Sequence, residues 1–398
     1  MHQRARSWQL VSYLTGAGWQ AGKVGASTDD VSCPTVAVCY MSAGRPVPIS
    51  GYNLPSSPTY DILEVTRDGG ARWTALSLPG DISIRSPLQC PEAATTCFAA
   101  GIDADRNALF FTADGGQTWS ARPTPAAGGS IQELACASNR KCVALFQAAG
   151  WAPGYSGSAS NAIVMVTSDG GRNWSAGPPA PHGQLPDYLT CGGSTCVLFD
   201  QLITRDNGQS VNGDGQQTVA PGSWAAWYSH DAGTSWERGQ HPASIWTIAS
   251  HDLPNPGTIS CSDRLHCWAA MSNQIGQPGT ATAFLATTDG GVSWTAQPLP
   301  AQRAQQFFPM AMSCPTARQC YAGGGDASGP VILTTINGGA TWSPVRLPAT
   351  SAGPVDSTGL LPDVGLLSCA AATHCVAALL SNGSADSVPV YSLGAWWG

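Results

Sequence analysis

Positive charge is scarce in this chain: lysine occurs twice, as Lys23 and Lys141, beside sixteen arginines, and only 11% of the 398 residues are charged. With a net charge of −7 and no basic stripe, the composition argues against nucleic acid as a partner. Glutamate is nearly as rare, with Glu64, Glu92, Glu133 and Glu237 alone. No run of eighteen apolar residues exists, so nothing reads as a membrane-spanning helix. The opening residues, Met1 to Trp8, carry charge but no apolar export core; either such a signal was removed or the chain begins inside a longer protein. The seven histidines are scattered, and no two cysteines have the two-residue gap of a zinc knuckle or thioredoxin-like motif. Neither a metal nor a cofactor is expected.

What the chain does have is repetition. The phrase Ser/Thr-x-Asp-x-Gly-x-x-Trp occurs six times: Thr66–Trp73, Thr112–Trp119, Thr167–Trp174, Ser229–Trp236, Thr287–Trp294 and Thr335–Trp342. Its acidic position holds Asp68, Asp114, Asp169, Asp231 and Asp289, and then Asn337, which keeps a turn-forming acceptor oxygen. Asp or Asn before glycine is turn chemistry, because the side chain accepts backbone N–H bonds while glycine supplies positive φ without strain. Short apolar runs such as Ile163–Val166 and Val331–Leu333 precede the phrase, and its tryptophan leads into the next strand. Successive tryptophans stand 46 to 62 residues apart, a period that suits one four-stranded propeller blade.

The phrase resembles the Asp-box, or bacterial neuraminidase repeat, of sialidases, xyloglucanase-type hydrolases, sortilin-type receptors and photosystem II assembly-factor-like propellers. In those families the box lies in the turn between the third and fourth strands of a blade, away from the ligand face. The resemblance therefore implies a fold and a structural role for the six boxes, and it leaves activity open.

A second repeat interleaves with the first. The fourteen cysteines form close pairs: Cys33/Cys39, Cys90/Cys97, Cys136/Cys142, Cys191/Cys196, Cys261/Cys267, Cys314/Cys320 and Cys369/Cys375. Local disulfides are the reading preferred over free thiols or metal, each clipping the end of one strand to the start of the next. Seven disulfides point to an oxidising, extracytoplasmic compartment. Seven pairs against six boxes suggest a worn seventh box at Ser12–Trp19, and a last blade shared by N- and C-terminal strands. The expectation is one all-β domain over residues 1–398, a monomeric seven-bladed β-propeller with one local disulfide per blade.

If both clips lie at one end of each blade, the remaining connections share the opposite rim, where propellers usually bind ligands. The loops Ala43–Thr59, Gln147–Asn161, Asp200–Ser223 and Gly239–Thr258 are long and unequal. From them and their borders come the candidate ligand-binding residues Tyr52, Tyr60, Trp151, Tyr155, Arg205, Asp206, Trp246 and Asp252. Rings beside carboxylates suit sugar recognition, since pyranose faces are apolar and their hydroxyls want bidentate acceptors. The competing reading folds these aromatics down onto the blades.

Two functions remain. The first is a non-catalytic module binding a carbohydrate, peptide or protein through one rim. The alternative is a glycan-active hydrolase using two rim aspartates at a defined separation. The sialidase Arg-Ile-Pro signature is missing, Arg45-Pro46-Val47-Pro48 being only superficially similar, and no glutamate shows an obvious pairing with tyrosine.

Overall fold

A computed structural model describes residues 8–14, 27–45, 60–76, 78, 82–91, 95–103, 106–125, 129–147, 162–177, 186–201, 224–241, 255–272, 282–300, 307–326, 328–348, 363–380 and 388–393. Among them every regular element is a strand, and 28 strands form seven four-stranded sheets. The chain opens with β1 (Trp8–Leu14). Blade 1 is β2 (Ser27–Ser32), β3 (Cys39–Arg45), β4 (Tyr60–Thr66) and β5 (Thr74–Ala75). Blade 2 is β6 (Ile82–Gln89), β7 (Cys97–Asp103), β8 (Arg106–Thr112) and β9 (Ser120–Arg122). Blade 3 is β10 (Ser130–Cys136), β11 (Cys142–Gln147), β12 (Ala162–Thr167) and β13 (Ser175–Ala176). Blade 4 is β14 (Pro186–Gly192), β15 (Thr195–Gln201), β16 (Trp224–Ser229) and β17 (Glu237–Arg238). Blade 5 is β18 (Asn255–Cys261), β19 (Cys267–Ser272), β20 (Thr282–Thr287) and β21 (Thr295–Gln297). Blade 6 is β22 (Phe308–Thr316), β23 (Gln319–Asp326), β24 (Gly329–Thr335) and β25 (Ser343–Arg346). Blade 7 joins β26 (Asp363–Ala371), β27 (His374–Leu380) and β28 (Val388–Leu393) to β1, in the order β1-β28-β27-β26.

This is the seven-bladed all-β propeller class. Second strands such as β11, with Val143 to Phe146 buried, read as continuous apolar runs because both of their faces are covered. The short outermost strands β5, β13 and β17 are exposed and only two residues long, which leaves little free edge for another chain to extend.

The chain separates into two compact units. One comprises Met1–Ala121, Pro309–Gly338 and Trp342–Gly398, and the other Arg122–Phe308 and Gly339–Thr341. In the first, the serine that precedes a cysteine acquires a purpose. Ser32 Oγ accepts the Cys90 N–H at 3.2 Å, Ser313 Oγ that of Cys369 at 3.0 Å, and Ser368 Oγ that of Cys33 at 3.0 Å. Each such bond fastens the first strands of neighbouring blades where their disulfides begin. In the second unit, blades 3 to 5 bury separate clusters, one around Val197, Phe199, Leu285 and Trp294 and another around Val143, Leu145, Leu198 and Trp227.

The seventh blade corrects the worn-box expectation. Ser12 and Leu14 lie within β1, paired with Val390 and Val388, while Trp19 lies outside the described residues. No turn can join β28 to β1, because the strands come from opposite ends of the chain. The register supplies the missing indole elsewhere. In blade 3, Cys142 pairs with Thr167 and Val166 with Ser175, the residue after Trp174. In blade 7, Cys375 pairs with Leu393, and Leu393 with Trp8. Trp8 therefore holds the position of the phrase's tryptophan. It is 3% exposed, packed with Ile332, Leu367 and Tyr391, and edge-on to Tyr321 at 6.1 Å.

Candidate functional site

The disulfides pair as the spacing implies: all seven are local, and none of the fourteen cysteines is free. Cross-strand neighbours such as Cys136 and Cys142 have Cα atoms 4.0 Å apart, close to the spacing of directly opposed antiparallel residues.

The expectation that each second cysteine opens its strand needs correction in blades 4, 6 and 7. Cys196, Cys320 and Cys375 are the second residues of β15, β23 and β27, preceded by Thr195, Gln319 and His374. The physical reason is that the ladder runs on past the sulfur bridge: Gly192 pairs with Thr195 beyond Cys191–Cys196, and Ala371 with His374 beyond Cys369–Cys375. The second cysteines are also core residues. Cys97, Cys196, Cys267 and Cys320 are each 0% exposed, because the second strand they sit on is covered on both faces. Their role is therefore structural, like that of the turns beside them.

At the same end of blades 1 to 6 sits the repeated turn. Thr112 Oγ1 donates to Asp114 Oδ1 at 2.8 Å and accepts the Gly116 N–H at 3.0 Å, and the carboxylate accepts the Thr118 N–H at 2.9 Å. The hydroxyl bond to the acidic or amide oxygen recurs at Thr66, Thr167, Ser229, Thr287 and Thr335.

Disulfide loop and turn are also tied to each other. The third residue after the Thr or Ser always donates its N–H to the loop: Gly69 to Ala37 O, Gly115 to Thr95 O, Gly170 to Arg140 O, Ala232 to Ser194 O, Gly290 to Leu265 O and Gly338 to Arg318 O, at 2.8–3.0 Å. These donors need positive φ, which glycine supplies in five turns; Ala232, at φ 62°, adopts it against its own Cβ. Hydrogen bonds, led by that from the Thr118 hydroxyl, hold Asp114 down at about 2, and those from Asn173 do the same for Asp169.

Of the rim candidates, Tyr52, Trp151, Tyr155, Arg205, Asp206, Trp246 and Asp252 lie outside the described residues. Tyr60 begins β4, paired with Arg45, at the end remote from the Cys33–Cys39 disulfide. Asp363, which no motif singles out, opens β26 at the corresponding end of blade 7. Its carboxyl lies so near Gly325 that a Cβ there would collide with Oδ1, and burial pushes its pKa up to about 6. Nearby in sequence on blade 6, Asp326 Oδ1 accepts the Ser328 N–H at 2.7 Å in a tight turn.

One tyrosine–glutamate pair does exist, which corrects the reading of the glutamates. Tyr228 Oη donates to Glu237 Oε2 at 2.7 Å, and this bond is the chief influence raising the tyrosine's pKa. The two are cross-strand partners, Tyr228 on β16 and Glu237 on the exposed edge strand β17, so the contact is ordinary sheet pairing. Among the described residues, no group of three His, Cys, Asp or Glu could hold a metal ion, and no helix is long and apolar enough to cross a membrane.

The described residues do enclose a groove of about 240 Å³ at the disulfide end, between blades 7 and 1. Val376, Ser392 and Leu393 line it from blade 7; Val36, Ala37 and Asp68 line it from blade 1. Its cause is a pair of side chains. Val376 and Ser392 face each other across β27 and β28. The equivalent pairs, the residue after the second cysteine and the residue before the turn's Thr or Ser, are bulkier: Tyr40/Val65, Phe98/Phe111, Val143/Val166, Val197/Tyr228, Trp268/Ala286 and Tyr321/Thr334. In blade 4, Val197 and Tyr228 come within 3.2 and 2.8 Å of where a Cβ on Gly291 of blade 5 would lie, so that interface is filled. With Ser392 in Tyr228's place, blade 7 meets blade 1 through the Ser392 Oγ donation to the Gly69 carbonyl at 2.9 Å, and the shorter side chain leaves the recess beside that bond.

No protein-family model matches this chain, and no curated protein does. Solved structures with similar folds include YCF48 bound to D1 peptide, at 16% identity and a TM-score of 0.55 over 96% of this chain and 97% of that one. The GH74 xyloglucanase from Xanthomonas campestris is 15% identical with a TM-score of 0.52, and its match covers 89% of this chain but 51% of the enzyme. A polysaccharide lyase, the PL25 ulvan lyase, is 11% identical with a TM-score of 0.54 over 93% and 94% of the two chains. At such identities the likeness is one of fold: this chain shares the propeller architecture of all three.

Proposed function

We propose that this chain is an extracytoplasmic, non-catalytic propeller that binds a polypeptide segment of a partner protein. The supporting observation is the groove, whose apolar walls carry few polar groups and whose volume suits one or two side chains rather than a sugar chain. Among propellers of similar fold, YCF48 is known bound to a D1 peptide. Seven disulfides favour an oxidising compartment. In this reading residues 1–398 act as one monomeric domain without a cofactor. The six turns are Asp-boxes with a structural task, and the rim loops holding Tyr52, Trp151, Tyr155, Arg205, Asp206, Trp246 and Asp252, with Tyr60 at a strand start, add a second contact surface.

Asp363 favours a second reading, a glycan-active hydrolase. A rim carboxyl held near pH 6 can donate a proton at neutral pH if a second carboxylate stands opposite it. Incubating the oxidised chain with arrayed peptides and with plant and algal polysaccharides separates the two. Retention of peptides without release of new sugar ends supports the binding module. Sugar release that disappears in Asp363→Asn supports the hydrolase and overturns it.

A further inference from the structure

We infer that the groove between blades 7 and 1 accepts an extended peptide segment in which an apolar side chain stands next to a lysine or arginine. This rests on the peptide-binding reading and names the partner's chemistry. The apolar half follows from the walls: Val376 and Leu393 on one side, Ala37 on the other, and Val36 at the lip with 47% of its surface exposed. An exposed valine beside an apolar recess is a place where a partner's side chain removes area from water on both sides.

The cationic half follows from Asp68. In four turns the outer carboxylate oxygen is already engaged: Asp114 Oδ2 by Thr118, Asp169 Oδ2 by Asn173, Asp231 Oδ2 by Ser235 and Asp289 Oδ2 by Ser293. Blade 1 has Arg72 at that position, and it supplies only its backbone N–H, to Oδ1 at 2.9 Å. Asp68 Oδ2 therefore has no hydrogen-bond partner among the described residues, and this carboxylate is the one that lines the groove. The other arginine of the turn, Arg67, directs its guanidinium to the Gly115 carbonyl at 3.3 Å. A spare carboxylate oxygen at the edge of an apolar recess, on a chain of net charge −7, selects a charge-assisted donor beside a hydrophobic anchor.

Fluorescence anisotropy with labelled Gly/Ser-flanked peptides bearing Leu-Lys, Leu-Glu or Ser-Lys tests this on the intact oxidised chain. The wild type should bind the Leu-Lys peptide at least tenfold more tightly than either control, with an advantage over Leu-Glu that shrinks as salt rises. Asp68→Asn should weaken that peptide about tenfold while keeping the turn, since Asn337 accepts the same hydroxyl bond from Thr335 at 2.9 Å. Asp289→Asn, whose second oxygen serves Ser293, should change nothing. Ser392→Tyr fills the groove with the residue blade 4 carries at that register, and should abolish binding. If peptides bind but Asp68→Asn and Ser392→Tyr leave affinity unchanged, this inference fails and the peptide-binding reading stands. If the wild type binds no peptide in the array, the reading itself fails. A chain that sediments as a dimer until Ser392→Tyr makes it monomeric would assign the groove to a second copy and overturn the peptide assignment.

Discussion

Six blades of this propeller are continuous in sequence and one is cut, and the cut blade shows which parts of the repeat matter. In the continuous blades the turn carries the Thr-Asp hydrogen bonds, and the tryptophan follows seven residues after the Thr or Ser. Blade 7 has no such turn, yet Trp8 stands at the same register opposite Leu393 and is buried as deeply as Trp294, at 3% exposure each. The indole is thus a requirement of the blade, whereas the turn phrase is a requirement of joining its last two strands. The groove belongs to the cut blade as well: Val376 and Ser392 stand where the other blades carry a bulkier pair.

The largest test of this equivalence is Trp8→Ala. Removing a buried tryptophan side chain costs about 3–5 kcal/mol, so the variant's denaturant midpoint should fall sharply, and further than that of Trp73→Ala, whose ring is only partly buried. A Trp8→Ala chain as stable as the wild type would show that the N-terminal strand is dispensable. Replacing Cys136 and Cys142 together with alanine should cost about 2 kcal/mol, the loss expected when a short loop is no longer cross-linked in the unfolded chain. A much larger loss would mean that the clips shape the native blades rather than restrain the unfolded chain.

The two ends of the blades should also answer differently to pH. Asp114 and Asp169, at the disulfide end, titrate near 2 when folded against an ordinary value of 3.8. Their contribution is complete above about pH 4 and is lost as pH falls toward 2. Asp363 at the other end has the opposite sign: its folded pKa of about 6 exceeds 3.8. Stability therefore declines as pH rises from about 4 through 6, and unfolding midpoints should peak near pH 4. Asp363→Asn should reduce the decline on the alkaline side, to which Glu64, its carboxyl also pushed up by burial, contributes with the same sign, and leave the acid side unchanged. Smallest is Ala232→Gly, which relieves a non-glycine residue at φ 62° and should stabilise by about 1 kcal/mol in the same unfolding assay. A neutral result would mean that blade 4 absorbs the strain.

Much of the fold was legible in the sequence because its signals are local. Each disulfide closes over five to seven positions and each turn over eight residues, so the pairs and phrases stand out along the chain. Where a strand begins relative to its cysteine is less plain, since Thr195 before Cys196 and His374 before Cys375 join the ladder only through partners across the loop. Trp8 escaped because its partner Leu393 lies at the other end of the chain; the faint clue was Ser7-Trp8, the same dipeptide as Ser235-Trp236 and Ser293-Trp294. The groove was invisible for a related reason. That Val376 and Ser392 form a small pair becomes apparent only when strand register sets them side by side, and nothing in the sequence marks Asp68 Oδ2 as spare. Asp363 owes its shifted carboxyl to burial beside Gly325, 38 residues earlier, a contact no motif encodes.

The most direct measurement places a bound peptide on the surface. A Leu-Lys peptide carrying a photoactivatable leucine, cross-linked to the oxidised chain and mapped by mass spectrometry, should label residues 35–37 and 374–376. Labels confined to residues 43–59 or 200–223 would put recognition on the rim loops and contradict a binding site at the cut blade.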